Sequence, residues 1–284
     1  MSARAARPVL LLAALAVTGS ACIVDVPDPA GKACRLPDFP CRAGETCSAE
    51  GFCQASGGMT PTLFQDFEPP WADNKSPDQI WLIAGPWVGG GGNMMDPANA
   101  VLSETFNGEV GGFLALTVTA NEMRGAEVQT VTSYSYGYYE ARILVSNVPG
   151  VNTTFFWRKA PDFGDMQWAV AFLTNEPWLD SESSGQVYFL ITPPGEGLLQ
   201  TLPFNPSKDF HRYGFLWVPG KLSFTVDGAI VREFADPGLT TTNTGFIMAD
   251  TWTGNPEWGG GPPTADATTV YDWIKFYEGV TAVP

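Results

Sequence analysis

From Val101 to its end the sequence is cut into short runs in which apolar and polar residues alternate, and glycine, proline, asparagine or aspartate separates most of them. Phe113–Val118, Tyr138–Val145, Val187–Thr192 and Lys221–Val226 are such runs. Because successive side chains of a strand point to opposite faces, a period of two marks a strand with one face inside and one outside. The 31 glycines and 24 prolines among 284 residues end each run before a helix could grow. The pattern predicts an all-β sandwich with little helix, and 284 residues suffice for one large β domain with small additions.

One run differs in what it presents. In Asp165–Leu173 the bulky residues Trp168, Val170 and Phe172 alternate with Gln167, Ala169 and Ala171. The first set is expected to face the core. The second set then offers solvent, or a cleft, one amide and two methyl groups.

The runs occur in a recognisable order. Gly125-Ala126-Glu127-Val128 is followed by Ser135-Tyr136-Gly137-Tyr138-Tyr139-Glu140-Ala141-Arg142 and by Thr153-Thr154-Phe155-Phe156. Further on come Asp209-Phe210-His211-Arg212-Tyr213-Gly214-Phe215-Leu216-Trp217, Phe224-Thr225-Val226-Asp227-Gly228, Trp252-Thr253-Gly254 and Tyr271-Asp272-Trp273. In this order and spacing they resemble glycoside hydrolase family 16, especially its bacterial β-1,3-1,4-glucanases, over roughly residues 63 to 278. The resemblance sharpens the expected fold to a jelly roll of the concanavalin A type with one concave face.

It also implies a catalytic strand reading Glu-x-Asp-x-Glu before Phe-Leu, with a nucleophile, a helper and a general acid/base. Anchored on Phe172-Leu173, those positions hold Gln167, Ala169 and Ala171. A retaining glycosidase needs two carboxyl groups about 5 to 5.5 Å apart. An amide is not a usable nucleophile, and a methyl group carries no proton. No glutamate in the chain is followed two residues later by aspartate, so no shifted copy of the motif exists.

By the same resemblance, Glu127 matches a sugar-contacting glutamate and Asp250 stands where the family usually has asparagine. Trp252 and Trp258 match two cleft tryptophans, whose flat amphipathic faces suit a sugar ring. Gln129 replaces an arginine of the family, and Tyr188-Phe189-Leu190-Ile191 replaces a strand expected to supply Asn and Tyr. Asp272 matches the side-chain ligand of a structural calcium; no other cofactor is implied. His211, the only histidine, is read as structural. The four glycines at 89–92 are read as a loop without the strand-to-helix context of a phosphate cradle.

The amino terminus is organised differently. Residues 1–21 have Arg4 and Arg7, an apolar run Val9–Val17 and small residues before Cys22, the pattern of a secretory signal peptide. Cys22 after Ser20-Ala21 resembles a bacterial lipobox, and residues 22–33 would form a tether. With Cys22 acylated, the odd count of five cysteines leaves Cys34, Cys41, Cys47 and Cys53. The segment 34–53 is too short to bury a core, so two disulfides are its expected staples, with zinc as the alternative. Residues 54–62 read as a flexible linker and the large domain as 63–284.

The formal net charge of −15 repels phosphate backbones and argues against nucleic acid. The sequence therefore predicts an exported lipoprotein of the cell envelope or outer surface, or a secreted protein, whose partners are a membrane through its lipid and a neutral β-glucan. Two alternatives are an active β-glucanase using Glu127 and Asp250, and a structural or protein-binding envelope component.

Overall fold

A computed structural model describes residues 59–88, 94–174, 177–253 and 262–284, together with the backbone of two short strands at 45–47 and 53–55. The signal peptide, Cys22, the tether, most of the cysteine-rich segment, residues 56–58 of the linker, the glycine run and Trp258 lie outside the described residues.

In chain order, β1 (Glu45–Cys47) pairs antiparallel with β2 (Cys53–Ala55). The large domain opens with β3 (Leu63–Gln65), β4 (Trp81–Ala84), β5 (Trp87–Val88), β6 (Met94–Met95), β7 (Ala100–Phe106), β8 (Glu109–Val118) and β9 (Ala126–Thr130). Its middle is β10 (Gly137–Leu144), β11 (Asn152–Lys159), β12 (Gln167–Leu173), β13 (Gly185–Thr192) and β14 (Glu196–Leu202). It closes with β15 (His211–Val218), β16 (Lys221–Val226), β17 (Ala229–Ala235), β18 (Gly245–Trp252) and β19 (Ala267–Glu278). Among the described residues helix is confined to 3-10 turns such as Pro97–Asn99 and Pro237–Leu239.

Two antiparallel sheets make a jelly-roll sandwich. One sheet runs β17-β16-β15-β10-β19-β8-β7, with β3 also on β19. The other runs β14-β13-β12-β11-β18-β9-β4. Neighbours in both are far apart in sequence, as β11 against β18 and β10 against β19 show, so the fold is tied by long-range pairing.

The core between the sheets follows the alternation. Trp168, Val170 and Phe172 of β12 are fully buried and share a cluster with Phe155 and Trp157 of β11 and Tyr213, Phe215 and Trp217 of β15. Its centre is three indoles: Trp157 stacks on Trp168 at 5.6 Å and 8°, and Trp217 meets both edge-on at 4.9 and 5.6 Å. Complete burial of side chains this large stabilises by about 1.5–3 kcal/mol or more apiece. Trp157 Nε1 donates to the Tyr134 carbonyl and Trp217 Nε1 to that of Leu239, so two of the three buried polar atoms are satisfied.

This packing dictates a glycine at 245. A Cβ there would lie 2.3 Å from Trp157 Cε2 and 2.4 Å from the Arg158 carbonyl. The bare backbone instead exchanges two hydrogen bonds with Tyr134, of 2.7 and 2.8 Å.

The opposite sheet carries a second, polar layer on its outer face. Arg142 and Asp272 are both nearly fully buried and ion-paired, Glu109 lies 3.6 Å from the same guanidinium, and Phe210 lies under it at 4.4 Å. At Asp272, which the sequence matches to a calcium ligand, the carboxylate accepts from Arg142, and among the described residues no three His, Cys, Asp or Glu side chains converge on a point.

Candidate functional site

With Trp168, Val170 and Phe172 turned inward, the alternate residues of the seven-stranded sheet form its outer face, and a groove of ≈540 Å³ lies on it. The strand register arranges this face in rows. One row crosses Glu127, Asp250, Thr154, Ala171 and Tyr188 on β9, β18, β11, β12 and β13. The next crosses Gln129, Met248, Phe156, Ala169 and Leu190, and a third Phe246, Arg158, Gln167 and Thr192. Asn152 and its cross-strand neighbour Trp252 line one end, and Trp87 borders the groove from β5.

The three positions read from β12 behave differently from one another. Gln167 lines the groove and is half-buried. Ala169 and Ala171 share its face but are fully covered, so the expected pair of methyl groups open to a cleft is not there. The reason is lateral: Phe156 and Met248 pack with Ala169, and Leu190 and Phe246 close against them. The middle of the floor is an apolar plug.

Polarity is concentrated in the first row. Glu127 and Asp250 are direct cross-strand neighbours, both under one-tenth exposed. Burial pushes the Asp250 carboxyl up to about 7, against the opposing pull of the Thr154 hydroxyl, Arg158 and the Thr154 backbone. Burial, and then the neighbouring Asp250, hold Glu127 well above the carboxylate range, while Arg158 and the Trp87 indole pull it down. One Asp250 oxygen, Oδ1, is buried without a hydrogen-bond partner. Two neighbouring carboxyl groups with raised proton affinity, one with an unused acceptor, can donate to and accept from hydroxyl groups.

Of the residues singled out in the sequence, the fold brings together Glu127, Asp250, Trp252 and Gln167 in this groove. His211 is remote from it: it stacks on Phe204 at 3.5 Å and bonds Asp227 at 2.8 Å.

The sequence profile of glycosyl hydrolases family 16 matches residues 101–275. The chain belongs to that family. Among curated family members, the β-glucanase of Paenibacillus macerans is 31% identical over 170 residues, which is 57% of this chain and 69% of the relative. A β-glucanase of Bacillus subtilis is 31% identical over 176 residues, 57% and 67%. A solved β-1,3-1,4-glucanase (lichenase) from a mouse hindgut metagenome superposes with a TM-score of 0.59 at 25% identity over 76% of this chain and 98% of that one. A Bacillus licheniformis β-glucanase structure, 22% identical, gives 0.58 over 78% and 100% and shares the fold.

Sequence reasoning missed Arg158, Trp87, Asn152 and Thr154. The signal for three of them was present: Asn152, Thr154, Phe156 and Arg158 are the alternate residues of one strand, and following that period past Phe156 reaches an arginine. Trp87 carried no such signal, because β5 has only two residues.

Proposed function

We propose that this family 16 domain binds β-glucan-type polysaccharide along the groove without hydrolysing it. One observation carries the reading: where the family's nucleophile, helper and acid/base are expected on β12, the chain has Gln167 in the groove, Ala169 sealed beneath apolar side chains and Ala171 fully buried. Covalent catalysis has no carboxylate there, and proton transfer, worth roughly 10²- to 10⁴-fold, has no acid. What is retained suits binding. Trp252 and Trp87 border a groove of the size that small ligands and sugar chains occupy, and Glu127, Asp250, Asn152 and Gln167 supply hydrogen bonds. The β-glucanase relatives supply the glycan class.

The amino-terminal sequence supports surface display through acylated Cys22, with 34–53 as a stapled spacer. Cys22→Ser should move the mature protein from the detergent to the aqueous phase.

The test is paired. Calorimetric titration with mixed-linkage gluco-oligosaccharides should give saturable binding between micromolar and millimolar, about −4 to −8 kcal/mol. The same protein should release no reducing ends from mixed-linkage β-glucan or laminarin.

A second reading has its own observation, the adjacent Glu127 and Asp250, both of which hold protons more tightly than ordinary carboxyl groups. In that reading the protonated carboxyl would donate to the leaving oxygen and the ionised one would attack. Reducing ends that vanish in Glu127→Gln or Asp250→Asn would establish it and displace the first.

A further inference from the structure

Arg158 is the unexplained charge of the groove. It lies on the floor, cross-strand from Gln167 on one side and Phe246 on the other, with Thr192 next beyond Gln167. Its Nε donates to the Phe163 carbonyl at 3.0 Å, which fixes the plane of the guanidinium at its base. Among the described residues it forms no ion pair, although its charge lowers the proton affinity of both Glu127 and Asp250. Among the described residues this half-buried arginine has no carboxylate in direct contact, and its terminal amino groups form a planar fork that matches a carboxylate or sulfate oxygen pair.

We propose that Arg158 makes this groove selective for glycans that carry an anionic group, a uronate carboxylate or a sulfate ester, seated beside Gln167 and Thr192. The proposal rests on the glycan-binding reading and deepens it. Gln167 contributes an amide donor and Thr192 a hydroxyl at the same level of the sheet, so the anion would meet donors from three adjacent strands. The net charge of −15 acts the other way at long range. Recognition must therefore be local, and a glycan with isolated charged residues is a better ligand than a densely charged polymer. This revises the sequence expectation of a wholly neutral partner.

The experiment compares matched ligands on the full chain: a neutral β-gluco-oligosaccharide, the same oligosaccharide with one residue oxidised to a glucuronate, and the same with one sulfate ester. Calorimetry should show at least one charged ligand bound about 10-fold or more tightly than the neutral parent, the scale of one charge-assisted contact. Whichever of the two gains identifies the anion. In Arg158→Gln and Arg158→Met the ratio of charged to neutral affinity should fall to about one or below, and Arg158→Lys should keep part of it. Neutral and charged ligands bound equally by the parent protein, or a preference that survives Arg158→Gln, overturns the proposal and leaves glycan binding standing. No binding of any of the three overturns both. The ratio in the parent protein decides the matter even if a variant folds poorly.

Discussion

Glu127 and Asp250 face each other across the β9–β18 pair, two carboxyl groups almost out of reach of water with no cation in direct contact among the described residues. Burial raises the proton affinity of both, Asp250 raises that of Glu127 further, and Arg158 opposes each, so the groove is coupled to the stability of the sheet.

For Asp250 the sign of that coupling is definite. Its folded value of about 7 lies above the ordinary 3.8, so the folded state holds a proton that the unfolded chain releases. The associated stability is fully present below about pH 4, falls as pH rises, and is gone above 7. At about 1.4 kcal/mol per unit the loss is at most about 4 kcal/mol. Asp250→Asn should flatten this slope, so urea midpoints should favour the variant more at pH 8 than at pH 5. An equal difference at both values would contradict the assignment.

The Arg142–Asp272 pair is a test of buried compensation. Arg142→Met should destabilise by about 3–5 kcal/mol, since it removes the guanidinium paired with the buried Asp272, and Asp272→Asn by less, since Glu109 still lies 3.6 Å from the guanidinium. Chelators should leave the melting temperature unchanged. A drop on chelation that calcium restores would place a metal there instead.

Gly245→Ala should destabilise by about 1–3 kcal/mol through forced movement of Trp157. Loss of near-ultraviolet dichroism alongside the lowered urea midpoint would report it. A midpoint equal to the parent's would mean that the indole moves aside freely.

Trp252→Ala should weaken gluco-oligosaccharide binding by about 1–3 kcal/mol, because a ring that lines the groove loses its stacking surface. Its melting temperature should stay close to the parent's, as the residue is only half-buried. Unchanged affinity would remove Trp252 from the contact surface.

How much of this was legible depends on the range of the interaction. The span of β16 and the inward set of β12 follow from alternation along one strand, and the fold agrees with each. The apolar covering of Ala169 does not, because Phe156, Leu190 and Met248 come from strands whose register no local pattern specifies. The same holds for the pairing of Arg142 with Asp272, 130 residues apart. Arg158 falls between these cases: its strand was visible, but its position beside Gln167 is a matter of pairing.

The cluster of three core indoles decides how this molecule can be observed. Trp157, Trp168 and Trp217 are close enough for their excited states to mix, and none is exposed, so their emission and dichroism report whether the two sheets are still joined. Trp87 and Trp252, at the groove, are the indoles a ligand can screen from water or quench. The two groups of indoles thus report different events, the first the joining of the sheets and the second also the filling of the groove.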